Sequence, residues 1–536
     1  MLRLLPFWKV LSSIPIQVSS FRGRVLVMLQ NRIMPSRRDV LYLGLGFVGR
    51  VRSQDLGLEE ATIIDLQSVL TMGRVTSVEL VRGFLDRIAK IDKAGPKLNS
   101  VLELNPDAQA IAAALDRERK EKGPRGPLHG IPILLKDNID TGDKMMTTAG
   151  SLALAGAPTP KDSVVAERLR KAGAVFLGKT NMSEWANLRS TKPTSGWSGR
   201  GGQTLNPYAL DRNPSGSSSG SAVAVSSNLC AGAIGTETDG SIVSPSSING
   251  IVGIKPTVGL VPGAGIIPIS HRQDTAGPMG RTVADAAVLL SVLTQRSFGS
   301  GLETPGGLKG ARIGVVRELF PVGVELGRVM DESLDVLKRL GATLVDPVKI
   351  PNSSKLGGME IDALLWEFKN DLNAYFSVRG GPIKSLQDVI DFNTRNRNRE
   401  LQHFGQEFLE QAQQKGPLDS RAYDSLTAKL ARQSKTEGMD IALNDKKLDA
   451  LVAPTGGIAW KTDYTLGDVE SGSASTMPAI AGYPHLTVPM GFVSGLPVAI
   501  SFFGAPRTEA RLIRYAAAFE RETNARKRPE YRPTVR

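Results

Sequence analysis

A serine beside a glycine is the first feature of this sequence that suggests covalent chemistry. Ser241 follows Thr238-Asp239-Gly240, an arrangement typical of a nucleophile on a tight turn. A serine hydroxyl attacks efficiently only when a neighbouring group accepts its proton. The stretch 237–256 contains no histidine, so the usual imidazole base is missing nearby. Another base must be found if Ser241 is a nucleophile.

Lys136 is a candidate for that base. It ends the apolar run Pro132-Ile133-Leu134-Leu135, which predicts a short buried strand within 130–140. A lysine ammonium, with an ordinary pKa of about 10.4, cannot accept a proton at neutral pH. Burial disfavours the charged form and lowers that pKa. The end of an apolar strand is therefore a suitable place for a lysine base, although a surface lysine is the alternative interpretation.

The serine-rich segment 213–225 offers a competing arrangement. Gly216 to Gly220 fits the pattern G-x-S-x-G, centred on Ser218. In an α/β-hydrolase this motif follows a strand, and an acid and a histidine come later in the chain. The preceding Tyr-Ala-Leu-Asp-Arg-Asn-Pro is a poor strand sequence. The later histidines are His271, His403 and His485. A Ser-His-Asp esterase centred on Ser218 stays open as an alternative.

Metal and nucleotide sites have little support in the sequence. Its four histidines include no pair at the i, i+4 spacing of a helical zinc site, and Cys230 is its one cysteine. Two glycine patterns imitate nucleotide-binding loops. Gly44 to Gly49 spells G-x-G-x-x-G without a second strand after it, and Gly173 to Thr180 spells G-x-x-x-x-G-K-T around strand-like residues. We therefore predict neither a metal nor a cofactor.

The positive charge is concentrated near the N-terminus. Of the net +13 over 536 residues, residues 1–54 contribute +8, from nine Lys/Arg and one acid, and the remainder contributes +5. A net charge of only +5 over the residues after 54 does not predict nucleic-acid binding. The hydrophobic content of 41% and charged content of 22% are ordinary for a globular protein.

Residues 1–55 are interpreted as a basic leader. Met34 opens a segment in which Ser36-Arg37-Arg38 and the apolar residues after it resemble a twin-arginine export signal. On that interpretation residues 1–33 are an upstream extension. A disordered leader on a cytoplasmic protein is the other interpretation. No run approaches the ~18 apolar residues that a membrane span needs.

The elements that must position these residues follow an alternating pattern. Helical structure is predicted over 56–92, with Thr76 and Glu79 as a capping box, and from Ser163 to Lys171, each followed by an apolar strand. Later strands are predicted near 311–316, over 448–455 and as a pair within 485–504, and a last helix begins near Glu509. This alternation predicts one large α/β domain over 56–536.

The motifs taken together resemble those of the amidase signature family. The matching residues, in order, are Lys136-Asp137-Asn138, Gly178-Lys179-Thr180-Asn181, Gly216-Ser217-Ser218 to Ser221, Asp239-Gly240-Ser241-Ile242, Lys255-Pro256-Thr257 and Gly277-Pro278. The resemblance extends over about 56–525 and is closest to the peptide amidase branch. It implies a central mixed, twisted β-sheet with helices on both faces.

The resemblance also implies a Ser-Ser-Lys triad. Ser241 falls on the family's nucleophile, Lys136 on its base, and Ser217 on a bridging serine that follows a cis peptide bond. Backbone N–H groups of Thr238, Asp239, Gly240 and Ser241 would form the oxyanion hole, and Ser218 is assigned to the substrate-binding region. Val243 replaces an arginine common in the family, which affects the expected substrate more than the expected reaction.

The function implied is metal-independent hydrolysis of the C–N bond of small or terminal amides through an acyl-enzyme, with anilides and carbamates as further substrates. The partner is a small amide, and the enzyme is expected to be a monomer or homodimer. An amidase subunit of a tRNA-dependent amidotransferase is the alternative within the same family. Helices within 359–440 and the loop 456–468 are expected to shape the pocket, without individual lining residues being identifiable.

Overall fold

The computed structural model describes residues 57–535 except 157, 301, 303–306, 322 and 470–471, together with an antiparallel pair of short strands, Ser20–Phe21 and Arg24–Val25. Met1–Arg52 and Ser53–Arg536 form two compact units, and the second contains all the elements below. The twin-arginine motif after Met34 and the glycine pattern at 44–49 lie outside the described residues. Both predictions therefore stay predictions.

Eleven strands of the described chain form one large sheet. They are β1 Val101–Leu104, β2 Pro132–Lys136, β3 Val175–Thr180, β4 Gly232–Glu237, β5 Val252–Lys255, β6 Thr275–Gly280, β7 Arg312–Val315, β8 Thr343–Val345, β9 Ala450–Pro454, β10 His485–Val493 and β11 Leu496–Phe503. Their order is β8-β7-β9-β11-β10-β5-β6-β4-β2-β3-β1. The sheet is mixed, because β2 pairs in parallel with β3 and β4 whereas β6 pairs antiparallel with β4 and β5. Outside this sheet, Trp197–Ser198 pairs with Gly202–Gln203.

Helices connect these strands. They are α1 Ile63–Thr71, α2 Ser77–Arg87, α3 Ala108–Lys122, α4 Val164–Lys171, α5 Ser219–Ser226, α6 Val243–Ile248, α7 Val283–Thr294, α8 Val324–Arg339, α9 Gly357–Arg379, α10 Leu386–Arg395, α11 Arg397–Glu400, α12 Glu407–Gln413, α13 Arg421–Ser434, α14 Asp440–Asn444, α15 Thr476–Ile480 and α16 Glu509–Thr523. The strand pair within 485–504, the helix after Ser163 and the last helix are confirmed.

The helical region predicted over 56–92 is divided in the structure. The chain there forms α1 and α2, and a π-helical turn, Ile88–Lys93, follows α2. Two capping boxes explain the division, because Thr62 with Asp65 starts the first helix and Thr76 with Glu79 starts the second. The capping box at Thr76 is confirmed, and it marks a new start within the predicted region.

The sheet is buried on both faces. Along β9, Ala450 and Val452 belong to one hydrophobic cluster, while Leu451 and Ala453 belong to another. Successive side chains of a strand point to opposite faces, so this alternation places one cluster on each face. The segment from α9 to α12 supplies most of a third cluster, which includes Phe368 and Phe376. In the described part of the chain, no helix is long and apolar enough to cross a membrane.

The pattern at Gly173 to Thr180 is not a phosphate-binding loop. Val175–Thr180 is the fully buried strand β3, as its strand-like sequence indicates. Because β2 and β4 are parallel neighbours, with Leu135 opposite Ile234, their carboxyl ends lie at the same edge of the sheet. The segments that follow these two strands therefore meet there.

Candidate active site

Lys136 lies at the carboxyl end of β2 and is fully buried. Its Nζ lies 2.8 Å from Ser217 Oγ, 2.9 Å from Thr236 Oγ1 and 3.2 Å from the Thr236 carbonyl oxygen. Burial lowers the pKa of the amine to about 7, although the negative charges of Asp274 and Glu237 act in the opposite direction. A substantial fraction of this lysine is therefore neutral at neutral pH, and a neutral amine can accept a proton.

Ser217 follows a cis peptide bond with Gly216, as the family resemblance implied. The Ser217 carbonyl accepts the N–H of Ser183 at 3.1 Å, and its hydroxyl is the partner of Lys136. A Cβ at position 216 would lie 2.2 Å from Ser183 Oγ and 3.0 Å from Ser195 Oγ. A side chain at position 216 would therefore require these serine hydroxyls to move, and glycine fits without such a change.

Ser241 lies between β4 and α6 and has 7% of its surface exposed. Its carbonyl accepts the N–H of Ser218 at 3.1 Å, which ties it to the segment that carries Ser217. Glu237 accepts the N–H groups of Ile242 at 2.7 Å and Val243 at 3.0 Å. A carboxylate at the start of a helix satisfies N–H groups that have no partner within the helix. Glu237 therefore holds the turn that presents Ser241.

The loop Thr238–Ser241 has unused hydrogen-bond donors. Among the described residues, none of its four backbone N–H groups donates to a protein acceptor. Gly240 has φ +75°, and a Cβ there would lie 3.0 Å from Ser244 Oγ. Such a loop can hold a developing oxyanion with backbone donors.

Two side chains of this loop are held by hydrogen bonds to carboxyl groups or from a hydroxyl group. Thr238 Oγ1 donates to Asp274 at 2.6 Å, and the Ser475 hydroxyl donates to Asp239. Burial raises the pKa of Asp239 and, well above its usual range, that of the neighbouring Glu360. The negative charge of Asp239 adds to the effect on Glu360, so these two carboxyl groups resist being ionised together.

Ser218 has a different environment from Ser217 and Ser241. Its hydroxyl donates to the Thr236 carbonyl at 3.0 Å and accepts the Thr236 N–H at 3.2 Å. No strand of the described chain lies between Gln203 and Gly232, so the strand required before a hydrolase nucleophile is missing. His271 is paired with Asp371 at 2.8 Å, and His485 with Ser501 at 2.5 Å. The geometry does not support the Ser-His-Asp alternative centred on Ser218.

Two adjacent cavities flank Ser217 and Ser241. The first, here the apolar cavity, has a volume of about 360 Å³ and contacts Ser217. The second, here the polar cavity, has a volume of about 380 Å³ and contacts Gly216 and Ser241. Both contact Ala186, Thr238 and Ile269. The Ser217–Ser241 region therefore lies where the two cavities meet.

Several residues of these cavities were not identified from the sequence. The apolar cavity is lined by much of the segment from Val258 to Ser270, which was not predicted to contact the site. Thr236 could have been found, because it lies near the end of β4, just before the Ser241 loop. The expected contributions of 359–440 and 456–468 are present, for example as Glu360 and Asp468.

In the described chain no cluster of three or more His, Cys, Asp or Glu side chains could hold a metal ion. Cys230 is buried.

The chain is similar to amidases along most of its length. The family model described as Amidase matches residues 79–513. A probable amidase of Arabidopsis thaliana is 41% identical over 520 residues, covering 92% of this chain and 96% of the relative. The native peptide amidase of Stenotrophomonas maltophilia is 47% identical, with a TM-score of 0.85, covering 89% of this chain and 99% of the other.

A protein of Myxococcus xanthus that is named as part of a glutamyl-tRNA(Gln) amidotransferase is also similar, at 35% identity over 492 residues, covering 87% of this chain and 98% of the relative. This identity is lower than that of the two amidases. The predicted fold and family are confirmed by the family match and by the closeness of the peptide amidase structure. The chain belongs to the amidase signature family, and it is a serine amidohydrolase.

Proposed function

We propose that Ser241 is the nucleophile, Ser217 the bridging hydroxyl and Lys136 the base of this amidase. The observation that carries the proposal is the 2.8 Å hydrogen bond between Lys136 Nζ and Ser217 Oγ, made by a buried lysine whose pKa is lowered to about 7. A neutral amine beside a serine hydroxyl is the pairing needed to remove a proton without an imidazole.

The reaction would proceed by two acyl transfers. Neutral Lys136 accepts the Ser217 proton while Ser217 accepts the proton of Ser241, and Ser241 Oγ attacks the amide carbon. The N–H groups of the Thr238–Ser241 loop stabilise the resulting oxyanion. The proton returns through Ser217 to the leaving nitrogen, the C–N bond breaks, and an acyl-enzyme on Ser241 remains. Water activated through the same two groups then releases the acid.

The substrates proposed are small or terminal amides. The similar structure from Stenotrophomonas maltophilia is named a peptide amidase, which supports a terminal carboxamide as the reacting group. Anilides and carbamates carry the same acyl carbon beside a nitrogen leaving group, so we include them. The apolar and polar cavities have volumes of about 360 and 380 Å³, which suits short substrates. An internal peptide bond should react poorly, because its leaving group is a further residue with a charged carboxylate instead of ammonia, and both halves of the peptide would have to fit within the two cavities.

Covalent labelling tests the nucleophile. A fluorophosphonate should label Ser241, the label should be located by mass spectrometry of the digested protein, and Ser241→Ala should lose both label and turnover. Ser218→Ala is the matched control, because Ser218 lies one residue from Ser217 and should leave Ser241 labelled. Label on Ser218 in the unmodified protein would refute the assignment.

Paired peptides test the substrate. An amidated dipeptide should release ammonia, whereas the same dipeptide extended at its C-terminus should be cleaved at least about a hundredfold more slowly. Equal rates on the two would identify an endopeptidase instead.

A free-standing enzyme is preferred over a component of an amidotransferase. The two amidases described above are more similar to this chain than the amidotransferase protein is. Active protein should therefore elute from gel filtration as a monomer or homodimer. Turnover that requires added partner proteins would support the amidotransferase alternative.

A further inference from the structure

Asn138 carries an oxygen that is buried without a partner. Its side chain is 4% exposed, and within the described residues no group donates to Oδ1. Leaving a buried acceptor unpaired costs free energy comparable to that of a lost hydrogen bond. Asn138 also contacts the apolar cavity, close to Ser217 and Thr236. A group bound in that cavity is therefore the natural source of the missing donor.

The rest of Asn138 is firmly held. Its Nδ2 donates to Thr236 Oγ1 at 2.9 Å, and its main-chain carbonyl oxygen accepts the N–H of Ile267 at 2.9 Å. The same Thr236 Oγ1 lies 2.9 Å from Lys136 Nζ. The amide plane of Asn138 is thus oriented by the residue that also binds the proposed base. The preceding Asp137 accepts from Gly150 and Thr148 and does not contact the cavity.

The two cavities differ in which proposed catalytic serine they contact. The apolar cavity contacts Ser217 and Asn138, whereas the polar cavity contacts Ser241 and the Asp239-Gly240 part of the oxyanion loop. In the proposed reaction Ser217 returns the proton to the leaving nitrogen, so that nitrogen must lie on the Ser217 side. The acyl group is attached to Ser241 and must lie on the other side. This separation assigns one cavity to each half of the scissile bond.

We propose that Asn138 binds the leaving group: its Oδ1 accepts the N–H of the scissile amide, and the substituent on that nitrogen occupies the apolar cavity. The assignment rests on the proposed function, because the direction of the substrate follows from the roles of Ser217 and Ser241. The apolar part of this cavity's lining includes Val258, Val261, Ile267 and Ala374, and the acidic side chains of Asp274 and Asp371 also contact it. The substrate class that it fits is a secondary amide with an apolar amine, such as an anilide, in addition to primary amides.

An amide and its matching ester separate this role from a structural one. A phenyl ester has the same acyl group and a similar leaving group as the anilide but lacks the N–H. The value of kcat/KM reports the steps up to acylation, so the anilide-to-ester ratio of kcat/KM measures the contribution of that N–H. We expect Asn138→Leu to lower this ratio about tenfold or more, the effect of one buried hydrogen bond.

Thr236→Val provides a graded comparison. It removes the partner of Lys136 and of Asn138 Nδ2 but keeps Asn138 Oδ1, so it should lower both kcat/KM values and lower the anilide-to-ester ratio by less than Asn138→Leu does. An unchanged ratio in Asn138→Leu would overturn the proposal. If the unmodified enzyme hydrolyses neither the anilide nor the ester, the proposed amidase mechanism is contradicted instead, because the ester needs only the nucleophile and the base.

A second variant tests the cavity and does not depend on Asn138. Ala374 lies on α9 and contacts the apolar cavity but not the polar one. Ala374→Phe should lower kcat/KM for the anilide relative to the primary amide of the same acid by about tenfold. Ala374→Phe could instead lower kcat/KM more for larger acyl groups and leave the anilide-to-primary-amide ratio unchanged. That result would place the acyl group in the apolar cavity and refute the orientation.

Discussion

The pH dependence of the reaction tests the role of Lys136 most directly. If a neutral Lys136 is the base, kcat/KM for a neutral amide must follow the neutral fraction of this lysine. We expect kcat/KM to rise with a single ionisation near pH 7 and to reach a plateau above about pH 8. Removing the amine in Lys136→Ala should lower the rate by several orders of magnitude, with partial recovery at high pH, where hydroxide can replace the base.

The magnitude follows from burial. A change from an ordinary pKa of 10.5 to about 7 favours the neutral amine by about 5 kcal/mol. At pH 6 roughly one Lys136 in ten is then neutral, so kcat/KM should be about tenfold below its plateau. A lysine with an ordinary pKa would be neutral in only about one molecule in 3000 at pH 7. Its rate would still rise about tenfold per pH unit at pH 9.

Lys179 provides the matched control. It is also fully buried, and burial lowers its pKa, but its Nζ binds the Ile139 carbonyl at 2.7 Å and Thr147 Oγ1 at 2.8 Å. Lys179→Ala should reduce the free energy of unfolding while the midpoint near pH 7 stays in place. The assay is initial-rate ammonia release from about pH 5 to 10, with stability checked at each pH. A log-linear rise that continues to about pH 9 in the unmodified enzyme would refute the reasoning.

Further predictions concern the loop, the leader and metals. Gly240→Val should lower kcat about a hundredfold or more, because its φ of +75° disfavours a side chain and a Cβ there would meet Ser244 and Ser475; an unchanged kcat would exclude this loop as the oxyanion hole. Deleting residues 1–54 should leave a folded, active amidase, as judged by circular dichroism and turnover, whereas failure to fold would give the leader a structural role. Prolonged treatment with a chelator should leave kcat unchanged, and loss of activity that added zinc restores would contradict the proposed lysine mechanism.

Sequence patterns predicted those parts of the fold that depend on local chemistry. Capping residues located the start of α2, and apolar runs located β2, β3 and the pair β10–β11. The division of 56–92 into two helices was not predicted, because the capping box of Thr62 with Asp65, which starts the first helix, was not recognised beside that of Thr76 with Glu79. The order of the strands could not be predicted from patterns, because the neighbours β2 and β4 are about a hundred residues apart.

The site was predicted unevenly for a similar reason. Lys136, Ser217 and Ser241 lie in motifs that a sequence comparison recognises, and the structure brings Lys136 and Ser217 into hydrogen-bond contact. Their roles stay predictions. Asp274 and Glu360 approach the Ser241 loop from distant segments, and nothing in their own surroundings marks them. Long-range packing creates the environment of these carboxyl groups, so a local pattern cannot reveal it.

The parallel pairing of β2 with β4 has a consequence for how the enzyme can change. Lys136 ends one of two hydrogen-bonded strands in the interior of the sheet, and Ser241 lies in the short loop after the other strand, whereas the cavity walls come from longer loops and from α9. Interior strands exchange their amide hydrogens only when the whole domain opens, while loops open at much lower cost. The proposed base is therefore held by the interior of the sheet, and on the proposed orientation of the substrate the loop 258–271 and α9 are where we expect substitutions to alter the accepted amine without altering the bond-breaking step.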